Sequence, residues 1–158
     1  MKFILSSIFL LLLAPCNQSK NTSKTPDNSK AEIVYQCGAC FGRCPEYVLT
    51  ISGKDKTATF KGIKSTEKIG TYTKTISDKE LNDFISSFEN AKFTSLEDEY
   101  LGTITDFPIK TITYTNNGAT KAIKIRSGAP EVLNAIDKSL RAFAETSDGW
   151  KKTGDADH

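Results

Sequence analysis

Three cysteines in one short segment are the side chains of this chain whose type and spacing best suit chemistry. Cys37, Cys40 and Cys44 form the pattern C-x2-C-x3-C, and Pro45 follows directly. Thiols at such short spacing form disulfides, exchange electrons or bind metal ions. Which of these chemistries applies depends on the compartment and on the elements around the segment.

The first interpretation is a structural disulfide between Cys40 and Cys44, with Cys37 left as a free thiol. This bond closes the turn of residues 41–43 just before a predicted strand. Disulfides persist in exported proteins. A loop this short removes little chain entropy, so we expect a contribution of about 2 kcal/mol, mainly as local rigidity.

The alternative is a thiol redox or metal-handling protein that uses Cys37, Cys40 and Cys44. Residues 37–40 formally match C-x-x-C, but redox motifs of this kind begin a helix, whose dipole lowers the thiol pKa. Here a strand follows instead. Three thiolates leave a tetrahedral zinc site incomplete, and the one histidine, His158, is the last residue. We therefore predict no metal site and no cofactor.

The start of the chain predicts export. Residues 3–13 are apolar apart from two serines, and a lysine precedes them, which is typical of a secretory signal. A spanning helix would need about 20 apolar residues. We assign residues 1–15 to a signal peptide.

Cys16 directly after this segment predicts a lipid-anchored protein. Leu13 and Ala14 fit the lipobox of bacterial lipoproteins, whereas Pro15 departs from it because Gly, Ala or Ser normally precedes the cysteine. We expect cleavage before Cys16 and acylation of its sulfur. The predicted location is the bacterial cell envelope, on the periplasmic or surface side of the outer membrane, and one predicted partner is the membrane.

Composition divides the rest of the chain into three parts. Residues 16–30 are almost entirely polar and predict a flexible tether, because they cannot bury enough surface to order themselves. Residues 31–145 are long enough for one domain with a single core, and residues 146–158 form a polar tail. The net charge of +2 gives no electrostatic argument for nucleic acid.

The pattern of apolar residues predicts an α+β domain in the order β-β-β-β-α-β-β-α. Alternation in residues 46–52 and 57–60 indicates one hairpin, and Asn117-Gly118 between alternating runs indicates another. Two amphipathic helices are expected, one starting at the Ser77 capping box and one after Pro130. We predict an antiparallel sheet with both helices packed on one face and a more polar opposite face.

No catalytic residues are predicted, because the domain contains no histidine to activate a nucleophile and no phosphate-binding glycine motif. Three side chains near the cysteine turn or on a strand are candidates for a ligand pocket: Arg43, Tyr47 and Asp106. For Asp106, which precedes Phe107 and Pro108, capping of a turn is the competing interpretation.

Residues 40–47, CFGRCPEY, resemble the C-F-G-x-C-P-x-Y motif of an uncharacterised family, domain of unknown function 6438. The segments 105–108 and 128–131 also fit, and the resemblance spans residues 32–143. It implies a secreted or lipid-anchored protein of the Bacteroidota type and supports Cys40–Cys44 as the disulfide, with Cys37 outside the motif. It implies no activity. The leading hypothesis is a membrane-tethered, non-enzymatic module that binds an envelope protein or ligand through its open sheet face or its cysteine turn.

Overall fold

The computed structural model describes residues 27–156, so the predicted signal peptide, Cys16 and most of the tether lie outside the described residues. Eight strands form one sheet, and two α-helices complete the domain. The strands are β1 (Glu32–Cys37), β2 (Glu46–Ser52), β3 (Thr57–Lys64), β4 (Gly70–Thr75), β5 (Glu99–Tyr100), β6 (Lys110–Asn116), β7 (Ala119–Ile125) and β8 (Lys151–Gly154). The helices are α1 (Asp78–Asn90) and α2 (Glu131–Glu145).

The sheet has the strand order β5-β7-β6-β1-β2-β3-β4-β8. Every neighbouring pair is antiparallel except β5 and β7, which are parallel. The predicted α+β class is confirmed, and the predicted antiparallel sheet is confirmed for all but that pair. The predicted order lacks β5 and β8, two short strands at opposite edges.

Both helices begin as their sequences indicate. At α1, the Glu80 amide donates to Ser77 Oγ at 3.2 Å and the Ser77 amide donates to Glu80 Oε2 at 2.9 Å, which completes the capping box. Pro130 is the N-cap of α2. Among the described residues, no helix is long and apolar enough to cross a membrane.

Alternation along the strands sorts their side chains onto two faces. One face, together with the apolar stripes of both helices, forms the core. Its largest fully buried side chains are Tyr35, Tyr47, Phe60, Phe88, Phe93, Ile33, Leu49, Ile51, Ile76, Ile112, Ile123 and Ile125. Aromatic rings link its parts: the rings of Tyr47 and Phe60 stack with centroids 4.9 Å apart, and those of Phe88 and Tyr114 lie 4.6 Å apart.

The opposite face carries mostly threonine, and neither helix packs its apolar stripe there. The register aligns these side chains in rows across the sheet. The threonines are Thr50, Thr57, Thr59, Thr71, Thr73, Thr75, Thr111, Thr113, Thr115 and Thr120. This face is polar but bears few charges, and we call it the open face.

The end of the chain packs on the domain. Residues predicted as a polar tail include β8, which pairs with β4 at the edge of the sheet. The Trp150 ring lies against the buried Phe60 ring and the half-buried Phe143 ring, with centroid distances of 5.9 Å and 5.8 Å. The ordered domain therefore extends past residue 145.

Candidate functional site

The cysteine turn is closed by a disulfide. Cys40 and Cys44 are bonded, with their Cα atoms 5.7 Å apart, so the predicted pair is present. Between them, the Phe41 side chain points into solvent and is 94% exposed. A cross-link across so few residues restricts the turn in the unfolded and folded chain alike, and here it fixes the backbone that presents an aromatic ring to solvent.

A cavity of about 360 Å³ lies beside this turn. We call it the turn cavity. Its walls are mostly apolar, and one charged side chain reaches it. The lining residues are Gly38, Ala39, Cys40, Phe41, Thr105, Phe107, Ile109 and Arg126. Phe107 is 56% exposed, so a second aromatic ring borders the cavity opposite the turn. The volume falls within the range typical of small-molecule sites.

Three strand ends hold the walls of the cavity in place. The Gly38 amide donates to the Ile109 carbonyl at 3.1 Å, which continues the pairing of β1 and β6 beyond their ends. The Arg126 amide donates to the Tyr100 carbonyl at 2.8 Å and fixes the residue after β7. The cavity thus forms where the ends of β1, β6 and β7 meet the loop that precedes β6.

Arg126 supplies the only charge in the lining. Its Nε atom is buried and has no hydrogen-bond partner in the described part of the chain. Its guanidinium also makes no ion pair with any described carboxylate. The charge of Arg126 therefore has no counter-ion among the described residues, and it faces a cavity with mostly apolar walls.

Cys37 is the last residue of β1 and is a buried free thiol. Its burial raises the pKa of the thiol, and the neighbouring Lys110 ammonium opposes that shift only in part. Reactive cysteines need a lowered pKa and solvent access. The structure gives Cys37 neither property.

A buried polar cluster lies on the core side of the same strands. The Tyr35 hydroxyl donates to Asp137 Oδ1 at 2.8 Å, and the Lys110 ammonium donates to Asp137 Oδ2. Burial, followed by the Asp137 charge, raises the pKa of the Tyr35 phenol far above its ordinary value. The cluster joins α2 to β1 and β6, and none of its three residues lines the turn cavity.

The three predicted ligand candidates occupy different surroundings. Arg43 is exposed in the cysteine turn, and Asp106 is exposed in the loop before β6. Neither lines the turn cavity, although Thr105 and Phe107 on either side of Asp106 do. Tyr47 is buried in β2, where burial raises the pKa of its phenol. They do not converge on one site.

Sequence reasoning missed Arg126 and the Asp137 cluster. For Asp137 a signal was available: it sits within the helical spacing of Leu133, Ile136 and Leu140, a carboxylate on an otherwise apolar stripe. A buried carboxylate requires a partner. Arg126 gave no comparable signal, because its role depends on a contact with a distant loop.

The thiol alternative finds no support in the geometry. Two of its three cysteines form the disulfide and the third is buried. Within residues 27–156, no group of three His, Cys, Asp or Glu side chains is placed to hold a metal ion.

Together the sheet, the two helices and the cross-linked turn define a small disulfide-containing α+β domain with an aromatic-bordered cavity at one end of the sheet. The profile of the family described as Domain of unknown function (DUF6438) matches residues 31–144. The chain belongs to this family. No curated protein matches the chain.

Proposed function

We propose that this protein is a lipid-anchored, non-enzymatic binding module of the bacterial cell envelope, and that the turn cavity is its binding site. The observation that carries the proposal is the pair of exposed aromatic rings, Phe41 and Phe107, on the border of a mostly apolar cavity. The anchor is the predicted acyl group on Cys16, which lies outside the described residues.

Exposure of two phenylalanine rings is costly in water, since burial of such a side chain stabilises by about 1.5–3 kcal/mol. Exposed apolar surface that borders a concave site is typical of ligand or protein contacts. The disulfide supports the same view, because a restricted turn loses less entropy when a ligand orders it. The open face is a flatter surface and offers no comparable cavity.

The placement of the cavity suits a tethered protein. The chain enters the sheet at Glu32, the first residue of β1, and Gly38 of the cavity follows the last residue of the same strand. Six residues of extended strand span about 20 Å. A tether that precedes β1 therefore leaves from one end of the sheet, and the cavity opens at the other end, away from an anchor.

Binding of a neutral apolar probe tests the site. We expect N-phenyl-1-naphthylamine to bind the purified protein saturably, with an increase in its fluorescence. The Phe41→Ala and Phe107→Ala double variant should bind at least tenfold more weakly, because it loses two apolar contact surfaces.

The matched control is Ile63→Ala, which removes an exposed apolar side chain from β3, two strands away from β1, and does not line the cavity. It should leave the affinity for the probe unchanged. Equal loss in both variants, or no saturable binding by the unaltered protein, would contradict the proposed site.

The anchor is tested by the intact mass of the protein purified from its membrane. We expect loss of residues 1–15 and a mass increase that corresponds to acyl chains on Cys16. The Cys16→Ser variant should lose the acyl mass and the association with membranes. An unmodified Cys16 in membrane-purified protein would rule out the lipid anchor.

A further inference from the structure

We infer that the turn cavity selects ligands that join a carboxylate to a compact apolar group, and that Arg126 reads the carboxylate. This inference rests on the proposed function, because it assigns a ligand class to the same cavity. It adds the requirement that the ligand carry a negative charge, which an apolar cavity alone would not impose.

The inference begins with the position of Arg126. It follows β7, and its backbone is held by the hydrogen bond from its amide to the Tyr100 carbonyl. The alternation of β7 directs the side chain of residue 125 to the core and that of residue 126 to the opposite side. Arg126 therefore reaches the cavity from a fixed strand end.

The guanidinium lacks the partners that arginines usually acquire. Nearby basic residues are already neutralised: Lys110 pairs with Asp137, and Lys124 pairs with Glu99 at 2.8 Å. Arg126 has no such carboxylate among residues 27–156, and its buried Nε is unsatisfied. A guanidinium that lines a cavity with apolar walls and has no counter-ion favours the binding of an anion there.

The shape and charge of the site select the kind of anion. A guanidinium presents parallel N–H donors that match the two oxygens of a carboxylate. Arg126 is the only charged residue in the lining, so a monoanion balances the site, whereas a phosphate dianion would leave excess negative charge. Thr105 is a polar residue of the same lining.

The size of the cavity limits the apolar part. A volume of about 360 Å³ lies near the lower end of small-molecule sites. It has room for an aromatic or branched aliphatic group next to Phe41 and Phe107. The C-terminal residue of an apolar peptide and a small free acid of similar size share this chemistry.

Matched acid and amide probes test the inference in the unaltered protein. We expect 3-phenylpropionate to bind at least tenfold more tightly than 3-phenylpropionamide. Chemical-shift changes at residues 38–41 and 105–109 measure the binding of each probe. The amide has the same shape and lacks only the charge, and hydrogen bonds to charged groups are the stronger ones. The same measurement with N-acetyl-Leu-Phe and its C-terminal amide shows whether the protein binds the carboxylate of a peptide more tightly than that of the small free acid.

The Arg126→Gln variant should bind the acid and the amide with equal affinity, because it lacks the charge that distinguishes them. The Arg126→Lys variant should recover only part of the discrimination, because an ammonium lacks the planar pair of donors. The control is Arg43→Gln, which removes an exposed arginine from the adjacent turn and should leave the discrimination intact.

The outcomes separate the two proposals. Equal affinity of the unaltered protein for acid and amide, with the neutral probe still bound, overturns the carboxylate assignment and leaves the binding site standing. Failure to bind any of the probes overturns both. Discrimination that persists in Arg126→Gln also overturns the role of Arg126, and the acid–amide comparison does not depend on that variant's folding.

Discussion

Replacing Asp137 with alanine is expected to lower the free energy of unfolding by about 3 kcal/mol. The change leaves the Lys110 ammonium and the Tyr35 hydroxyl without their shared acceptor. Only 17% of the Lys110 side chain and 9% of the Asp137 side chain are exposed, so water replaces the lost partner poorly. Urea denaturation monitored by circular dichroism measures the effect.

A double variant separates the loss of an ion pair from the exposure of unpaired charge. Lys110→Met with Asp137→Leu removes both charges and keeps apolar bulk, so it should recover most of the stability lost by Asp137→Ala. Tyr35→Phe in that background should cost little, because its acceptor is already gone. If the double variant stays as unstable as Asp137→Ala, unpaired charge is not the cause of the loss.

This result also bears on function. The Tyr35–Asp137–Lys110 cluster joins three titratable side chains, and its residues do not line the turn cavity. We expect the double variant to bind the neutral probe with unchanged affinity once it is folded. Loss of binding in a stable double variant would connect the cluster to the site.

Gly62→Ala is expected to destabilise the domain by about 2–3 kcal/mol. A Cβ at this buried position in β3 would overlap the Lys68 carbonyl oxygen and lie 2.9 Å from Thr66 Cγ2. The loop between β3 and β4 would therefore have to move off the sheet. That loop places the Lys68 ammonium 4.9 Å from the centre of the Phe60 ring and within 2.8 Å of the Thr146 carbonyl.

Gly42→Ala is the matched control. The nearest atom to its new Cβ is Cys40 Sγ at 3.9 Å, an ordinary contact, and the residue does not have a positive φ. Its free energy of unfolding should change by less than about 0.5 kcal/mol. Similar losses at both positions in urea denaturation would contradict the steric explanation for Gly62.

The parts of the fold that could be predicted are those whose conformation is determined by residues close together in the sequence. The second hairpin follows from Asn117 and Gly118, which adopt φ values of 50° and 84° at the turn between β6 and β7. The helix that starts at Ser77 follows from its capping box and its apolar spacing. In both cases a few neighbouring residues determine the conformation.

The two edge strands could not be predicted for physical reasons. β5 is two residues long, too short for any alternation, and it forms only because β7 offers an unpaired edge. β8 reads Lys-Lys-Thr-Gly, which has no apolar face, and its position depends on Trp150 packing against Phe60. Such strands are determined by contacts with the finished sheet and not by their own sequence.

In the candidate site, too, the part formed by residues close in sequence could be predicted, and the part formed by distant residues could not. The disulfide could be predicted because Cys40 and Cys44 are close in sequence, and the turn that they close presents Phe41. The other wall could not, because Arg126 and Phe107 reach the cavity from elements far along the chain. Arg43 and Asp106 are near in sequence to the lining residues, but the local backbone keeps both out of the lining.

Formation of the sheet buries Cys37 and thereby determines which cysteine can form a disulfide with Cys40. In an unfolded chain, Cys40 is separated from Cys37 by two residues and from Cys44 by three, so the two ring closures have similar entropic cost. Once β1 has paired with β2 and β6, Cys37 is withdrawn into the core and only Cys44 remains accessible to Cys40. Oxidation after strand pairing therefore yields the Cys40–Cys44 ring, whereas oxidation of the unfolded chain yields a mixture that includes the Cys37–Cys40 ring.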